Sequence, residues 1–80
     1  MRIDKFLKNS RIIKRRTVAK DACEQGRILV NDKIAKPGTE VKVGDVIDIT
    51  FGNGSLKARV DEIIESCRKE DAPKMYTVIE

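Results

Sequence analysis

Apolar residues recur along this chain with two different periods, and the change of period divides it. Ile3, Phe6 and Leu7 stand at i, i+3 and i+4, a spacing that predicts a short amphipathic helix over residues 2–8. Arg2, Lys5 and Lys8 fall on its polar face. Asp4 sits in the first turn, where it complements the helix dipole, four residues before Lys8. Asn9-Ser10 marks the break. A second helix is expected with Thr17 as its cap, Val18, Ala19, Ala22 and Cys23 as its buried stripe, and Gly26 at its end. Lys20 occupies the position where a capping box would carry Glu, close to the positive end of the helix dipole. A bound phosphate would reverse the sign of that cost.

From Arg27 onward the period becomes two. Arg27–Val30 and Lys33–Ala35 flank Asn31-Asp32, a pair able to adopt the positive φ values of a hairpin turn. Lys36-Pro37-Gly38 makes a second turn, and Gly44-Asp45 a third, after Val41 and Val43. Val46–Phe51 alternates, with Ile47, Ile49 and Phe51 on one face. Gly52–Ser55 is expected as a loop. Leu56, Ala58 and Val60 then alternate with Lys57 and Arg59, continuing a half-buried antiparallel sheet. Asp61–Arg68 is open between a longer strand and a helical turn. Ala72-Pro73 is expected to interrupt any helix, and Met75–Ile79 to add an edge strand. The fold class is therefore α+β: two short N-terminal helices packed on a small antiparallel sheet. Eighty residues make one small domain, with residues 1–51 as its core and 52–80 as a C-terminal strand extension.

Charge changes this picture most. The net +4 conceals two halves: residues 1–44 carry 12 Lys/Arg against 5 Asp/Glu, and residues 45–80 carry 5 against 8. Between Arg11 and Lys20, five of ten residues are basic and none is acidic. Clustering of this kind is the footprint of a polyanion partner. Anionic lipid is disfavoured, because there is no long amphipathic helix or lipidation signal, and no run approaches membrane-spanning length. With no apolar leader segment, the chain is expected in the cytoplasm. One Tyr, two Phe and no Trp leave little for base stacking, so phosphate contact is the expected device. Arg15 and Arg16, whose planar forks suit phosphate, lead the candidates; Arg11, Lys14 and Lys20 belong to the same cluster.

Other chemistry is poorly provided for. Without histidine, a Ser-His or Cys-His pair cannot form. Two distant cysteines, Cys23 and Cys67, cannot complete a zinc site. Gly52-Asn53-Gly54 lacks the Lys of a phosphate loop. Asp61, Glu62 and Glu65 could pair as catalytic carboxylates or form a solvated acidic face. Cys23 falls on the apolar stripe and reads as core, Cys67 as a surface thiol. No enzymatic activity, metal or cofactor is expected.

Five segments in order resemble the S-four RNA-binding domain: Arg2-Ile3-Asp4-Lys5-Phe6-Leu7, Arg15-Arg16-Thr17 with Ala19-Lys20, Gly26-Arg27-Ile28 with Val30-Asn31 and Lys33, Lys36-Pro37-Gly38, and Val43-Gly44-Asp45-Val46-Ile47. The resemblance covers about residues 1–51. It implies that the helix pair, the alpha-L motif, forms the RNA-binding face. Arg2, Lys5, Thr17, Asn31, Lys33 and Lys36 then join the five cations above as RNA-binding candidates. Asp32 departs from the family's pattern, which has Gly there. The Arg11–Thr17 run and Phe51-Gly52-Asn53 are similar to the branch of the family that serves ribosome-associated quality control, a relative of the heat-shock ribosome-recycling proteins. That similarity implies a cytoplasmic, monomeric, ribosome-associated protein. It would bind rRNA and tRNA on large subunits obstructed by peptidyl-tRNA, and support alanine tailing of the stalled chain with the tailing factor RqcH. Ribosome recycling, general binding of structured RNA, a DNA-reading helix-turn-helix and a thiol redox protein using Cys67 remain as alternatives.

Overall fold

The structure, a computed structural model, describes residues 1–66 and 68–79. Its elements run α1 (Ile3–Asn9), α2 (Arg16–Glu24), β1 (Ile28–Val30), β2 (Lys33–Ile34), β3 (Val46–Phe51), β4 (Gly54–Val60), a 3-10 helix (Lys69–Lys74) and β5 (Tyr76–Val78). The five strands form one sheet in the order β2-β1-β3-β4-β5, antiparallel at every pairing. This is the α+β arrangement that the two periods predict.

A seven-residue helix is marginal in water, because it gains few hydrogen bonds for the cost of its nucleus. Burial holds α1 instead. Ile3, Phe6 and Leu7 are fully enclosed, against Ala19 and Cys23 of α2 and Ile28, Ile47, Ile49 and Val60 of the sheet. Each large aliphatic or aromatic group so enclosed contributes about 1.5–3 kcal/mol. α2 ends as the sequence predicts. Gly26 takes φ 74, its N–H donates to the Cys23 carbonyl at 3.0 Å, and the Arg27 N–H donates to the Ala22 carbonyl at 3.0 Å. Its start differs. Arg15, with extended φ −118, is the N-cap, so Thr17 lies inside the helix and no side chain caps it. Val18 also departs from the predicted stripe. It is half exposed, because Ala19 and Cys23, four residues apart, already define the face turned to α1.

The β1–β2 hairpin turns through Asn31 (φ 51) and Asp32 (φ 67), the positive pair that a two-residue turn requires. The β3–β4 hairpin is tighter than predicted. Only Gly52 and Asn53 form its turn, and β4 already begins at Gly54, so Gly54 and Ser55 belong to a strand rather than a loop. Residues 50–55 at this tip are all exposed. Phe51 therefore lies outside the core that its neighbours Ile47 and Ile49 enter.

In the C-terminal part, residues 61–64 form neither a longer strand nor a helix. Pro73 lies inside the 3-10 helix rather than ending it, since its fixed φ suits that helix and only one N–H is forfeited. Met75, fully buried, pins this stretch, and its carbonyl accepts the Asp61 N–H at 2.8 Å. β5 is the predicted edge strand, paired with β4 from Ala58↔Val78 to Val60↔Tyr76. Cys67, read above as a surface thiol, falls outside the described residues.

Candidate nucleic-acid interface

Asp4 organises the basic surface. It lies one residue into α1 and is only 2% exposed, a costly place for a carboxylate unless it is partnered. Oδ1 accepts the Lys5 backbone N–H at 2.8 Å. Oδ2 meets Arg2 Nη2 at 3.2 Å and Arg16 Nε at 3.5 Å, while Arg16 Nη2 reaches Oδ1 at 3.5 Å. One buried carboxylate thus holds a guanidinium from each helix. About half of each arginine side chain is exposed, 51% for Arg2 and 48% for Arg16, so both present donors to solvent from a fixed position.

The Lys36-Pro37-Gly38 turn adjoins this cluster. The Ile3 N–H donates to the Thr39 carbonyl at 2.7 Å, the Arg2 backbone pairs with Glu40 in an isolated antiparallel bridge, and a Cβ at Gly38 would lie 4.0 Å from Arg2 Nε. Lys36 is exposed there, its N–H held by Thr39 Oγ1 at 2.9 Å.

The joint between the helices is rigid on its inner side. Ser10 is buried and its hydroxyl donates to the Leu7 carbonyl at 3.2 Å; Ile13 is buried and its N–H donates to the same carbonyl at 3.1 Å. Between these anchors Arg11 is forced to φ 63 and points outward with Lys14. Arg15 follows at the open start of α2, with exposed Thr17, and exposed Lys20 lies one turn on. Arg11, Lys14, Arg15 and Lys20 have no carboxylate partner among the described residues.

Three predicted residues are placed differently. Lys5 is tied to Glu65, Nζ to Oε2 at 2.6 Å, a contact that also holds the Glu65 carboxyl below its ordinary range. Asn31 spends both ends of its amide on the sheet, donating to Asp45 at 3.1 Å and accepting the Val46 N–H at 3.0 Å. Lys33 is exposed on β2 beside it, on a hairpin tip tied to β3 rather than to the helices. The sequence reading missed Ile13 as the anchor of the joint, and it placed Lys8 on the polar face of α1 without counting it among the RNA-binding candidates. For Lys8 the signal was present, in the polar face it shares with Arg2 and Lys5. For the Lys5–Glu65 pair none was, because sixty residues separate the partners. Cys23 is core as predicted. Burial, with lesser repulsion from Asp4 and Glu24, pushes its thiol up to about 11.

The S4 domain model matches residues 1–47. The chain is 54% identical to the RQC P-site tRNA stabilizing factor of Listeria monocytogenes, over 99% of this chain and 86% of that protein. It is 47% identical to the Bacillus subtilis protein of the same name, over 99% and 92%. Among solved structures, the trimeric heat shock protein 15 of Vibrio cholerae superposes with a TM-score of 0.90 at 28% identity, over 98% of this chain and 80% of that one.

Proposed function

We propose that this chain, which belongs to the S4 domain family and within it to the RQC P-site tRNA stabilizing factors, binds RNA on the large ribosomal subunit during ribosome-associated quality control. The near-complete alignment with relatives of that name carries the proposal. The interface supports it physically: two arginines oriented by one buried carboxylate, a helix start with no side-chain cap, and Arg11, Lys14, Arg15 and Lys20, which have no carboxylate partner among the described residues, make a surface suited to phosphate. RNA contacts would centre on Arg2, Arg16, Arg15, Arg11, Lys14 and Lys20, with Thr17 and Lys36 at their margins. Lys5 would engage only after release from Glu65, and Asn31 and Lys33 would act from the hairpin.

In this role the chain holds rRNA and tRNA on subunits obstructed by peptidyl-tRNA, in the cytoplasm and as a monomer, without catalysing a reaction. It supports alanine tailing of the stalled chain beside RqcH. The experiment is cosedimentation with purified large subunits that carry or lack peptidyl-tRNA. Wild type is expected to prefer the loaded subunits, and Arg16→Ala and Arg15→Glu to lose binding while keeping the wild-type circular dichroism. Unchanged cosedimentation of both variants would overturn the assignment of the face. The likeness to heat shock protein 15 favours a second reading, ribosome recycling, for which equal binding to both kinds of subunit would speak.

A further inference from the structure

A cavity of about 220 Å³ opens where α1 ends, lined by Lys8, Asn9, Arg11 and Lys14. That is room enough to admit a tetrahedral oxyanion. Three of its four lining residues are cations. None of the three has a carboxylate partner among the described residues, whereas Arg2, Arg16 and Lys5 all do. Asn9 is held in this lining by its amide nitrogen, which donates to the Ile64 and Glu65 carbonyls at 3.2 and 3.3 Å. The negative end of α1 accounts for one nearby cation, not for three that line one cavity.

Backbone geometry makes the same point. Arg11 holds φ 63, a conformation that favours glycine, and its N–H donates to the Lys8 carbonyl at 3.1 Å. A glycine or asparagine there would serve the turn better. Among the described residues the long cationic side chain has no hydrogen-bond or ion-pair partner to explain it.

We propose that Lys8, Arg11 and Lys14 form a seat for a single phosphate group, a backbone phosphate of the bound RNA, separate from the Arg2–Asp4–Arg16 cluster. It rests on the RNA-binding reading above. Lys8 lies four residues beyond Asp4 on α1, a rise of about 6 Å, so the two positions can grip one strand at different phosphates.

The test uses the full chain, labelled with ¹⁵N and titrated with inorganic phosphate at low ionic strength, against chloride matched in ionic strength. Amides of residues 8–14 are expected to shift saturably with phosphate alone. Arg11→Gly, which relieves the backbone, is expected to raise the melting temperature while weakening phosphate binding roughly tenfold or more. In a second arm, Arg11→Gly and Lys14→Gln are each expected to lower the salt dependence of large-subunit binding by about one unit of slope. No saturable shift beyond chloride, or variants indistinguishable from wild type in both arms, would overturn the seat and leave the RNA-binding reading intact. Saturable phosphate binding by a wild type that fails to bind subunits would instead overturn that reading and identify free phosphate as the ligand.

Discussion

Asp4 shows how much one buried side chain decides. Its carboxylate accepts a backbone N–H and faces two guanidinium groups, so it stabilises α1 and aims Arg2 and Arg16 together. Asp4→Asn keeps the shape and removes the charge, turning an amide donor or a weaker acceptor toward two cations. It is expected to cost about 1–3 kcal/mol in urea unfolding and to weaken large-subunit binding. Binding at wild-type strength in Asp4→Asn, with Arg16→Ala impaired, would show that Arg16 needs no orienting partner. Cys23 makes a separate, pH-dependent contribution. Its thiol titrates near 9 in the unfolded chain and is pushed up to about 11 in the fold. A raised folded value keeps its stabilisation whole below about pH 9 and loses it as pH climbs toward 11, by at most ~3 kcal/mol. The stability gap between wild type and Cys23→Ala should therefore narrow between about pH 8.5 and 10.5, every other titrating group being common to both. A gap that stays constant would contradict the assignment.

At the scale of elements, the β1–β2 turn carries a cost that its sequence makes visible. Asp32 holds φ 67 where glycine would be unstrained, and unlike Asn31 its side chain has no partner among the described residues. Asp32→Gly is expected to stabilise the protein by roughly 1 kcal/mol against thermal unfolding and to remove a negative charge beside Lys33. A fall in melting temperature would mean that Asp32 restrains the unfolded chain more than it strains the turn. This hairpin was legible because positive φ has a short list of residues. So were α1, the end of α2 at Gly26, and the alternation in β3 and β4, all governed by neighbours in sequence. Less legible were features set by distant contacts. Val18 is exposed because α2 needs only its Ala19–Cys23 edge against α1, and Phe51 because its hairpin tip outruns the core. Thr17 failed as a cap because the chain enters α2 two residues earlier, at Arg15, after the anchor at Ile13. Of the candidate site, residue types and clustering could be read along the chain. Which cations are already neutralised could not, because Asp4 and Glu65 make their pairs across the fold.

For the whole molecule, the division of charge becomes a physical coupling. The acidic C-terminal half meets the basic N-terminal half along α1, where Glu65 pairs with Lys5 and the Ile64 and Glu65 carbonyls accept from Asn9. A carboxylate thus occupies a cation on the very helix that would meet RNA, and phosphate must displace it. The pair exists above the carboxylate range. Because Lys5 holds the Glu65 carboxyl below its ordinary value of 4.5, the tie persists through neutral pH and is lost as pH falls through that lowered value. Glu65→Gln removes the competitor while keeping the backbone contacts to Asn9. It should tighten binding to large subunits at low salt and steepen the salt dependence, since one more cation becomes available for counterion release. With about six cations engaged, wild type is expected to show a log–log slope near −4 to −5, and Glu65→Gln a slope steeper by about 0.7–0.9. Binding isotherms of both proteins across a salt series measure the two slopes directly. Equal slopes and equal affinities would place Lys5 outside the RNA contact and confine the working surface to the Asp4 cluster and the joint between the helices.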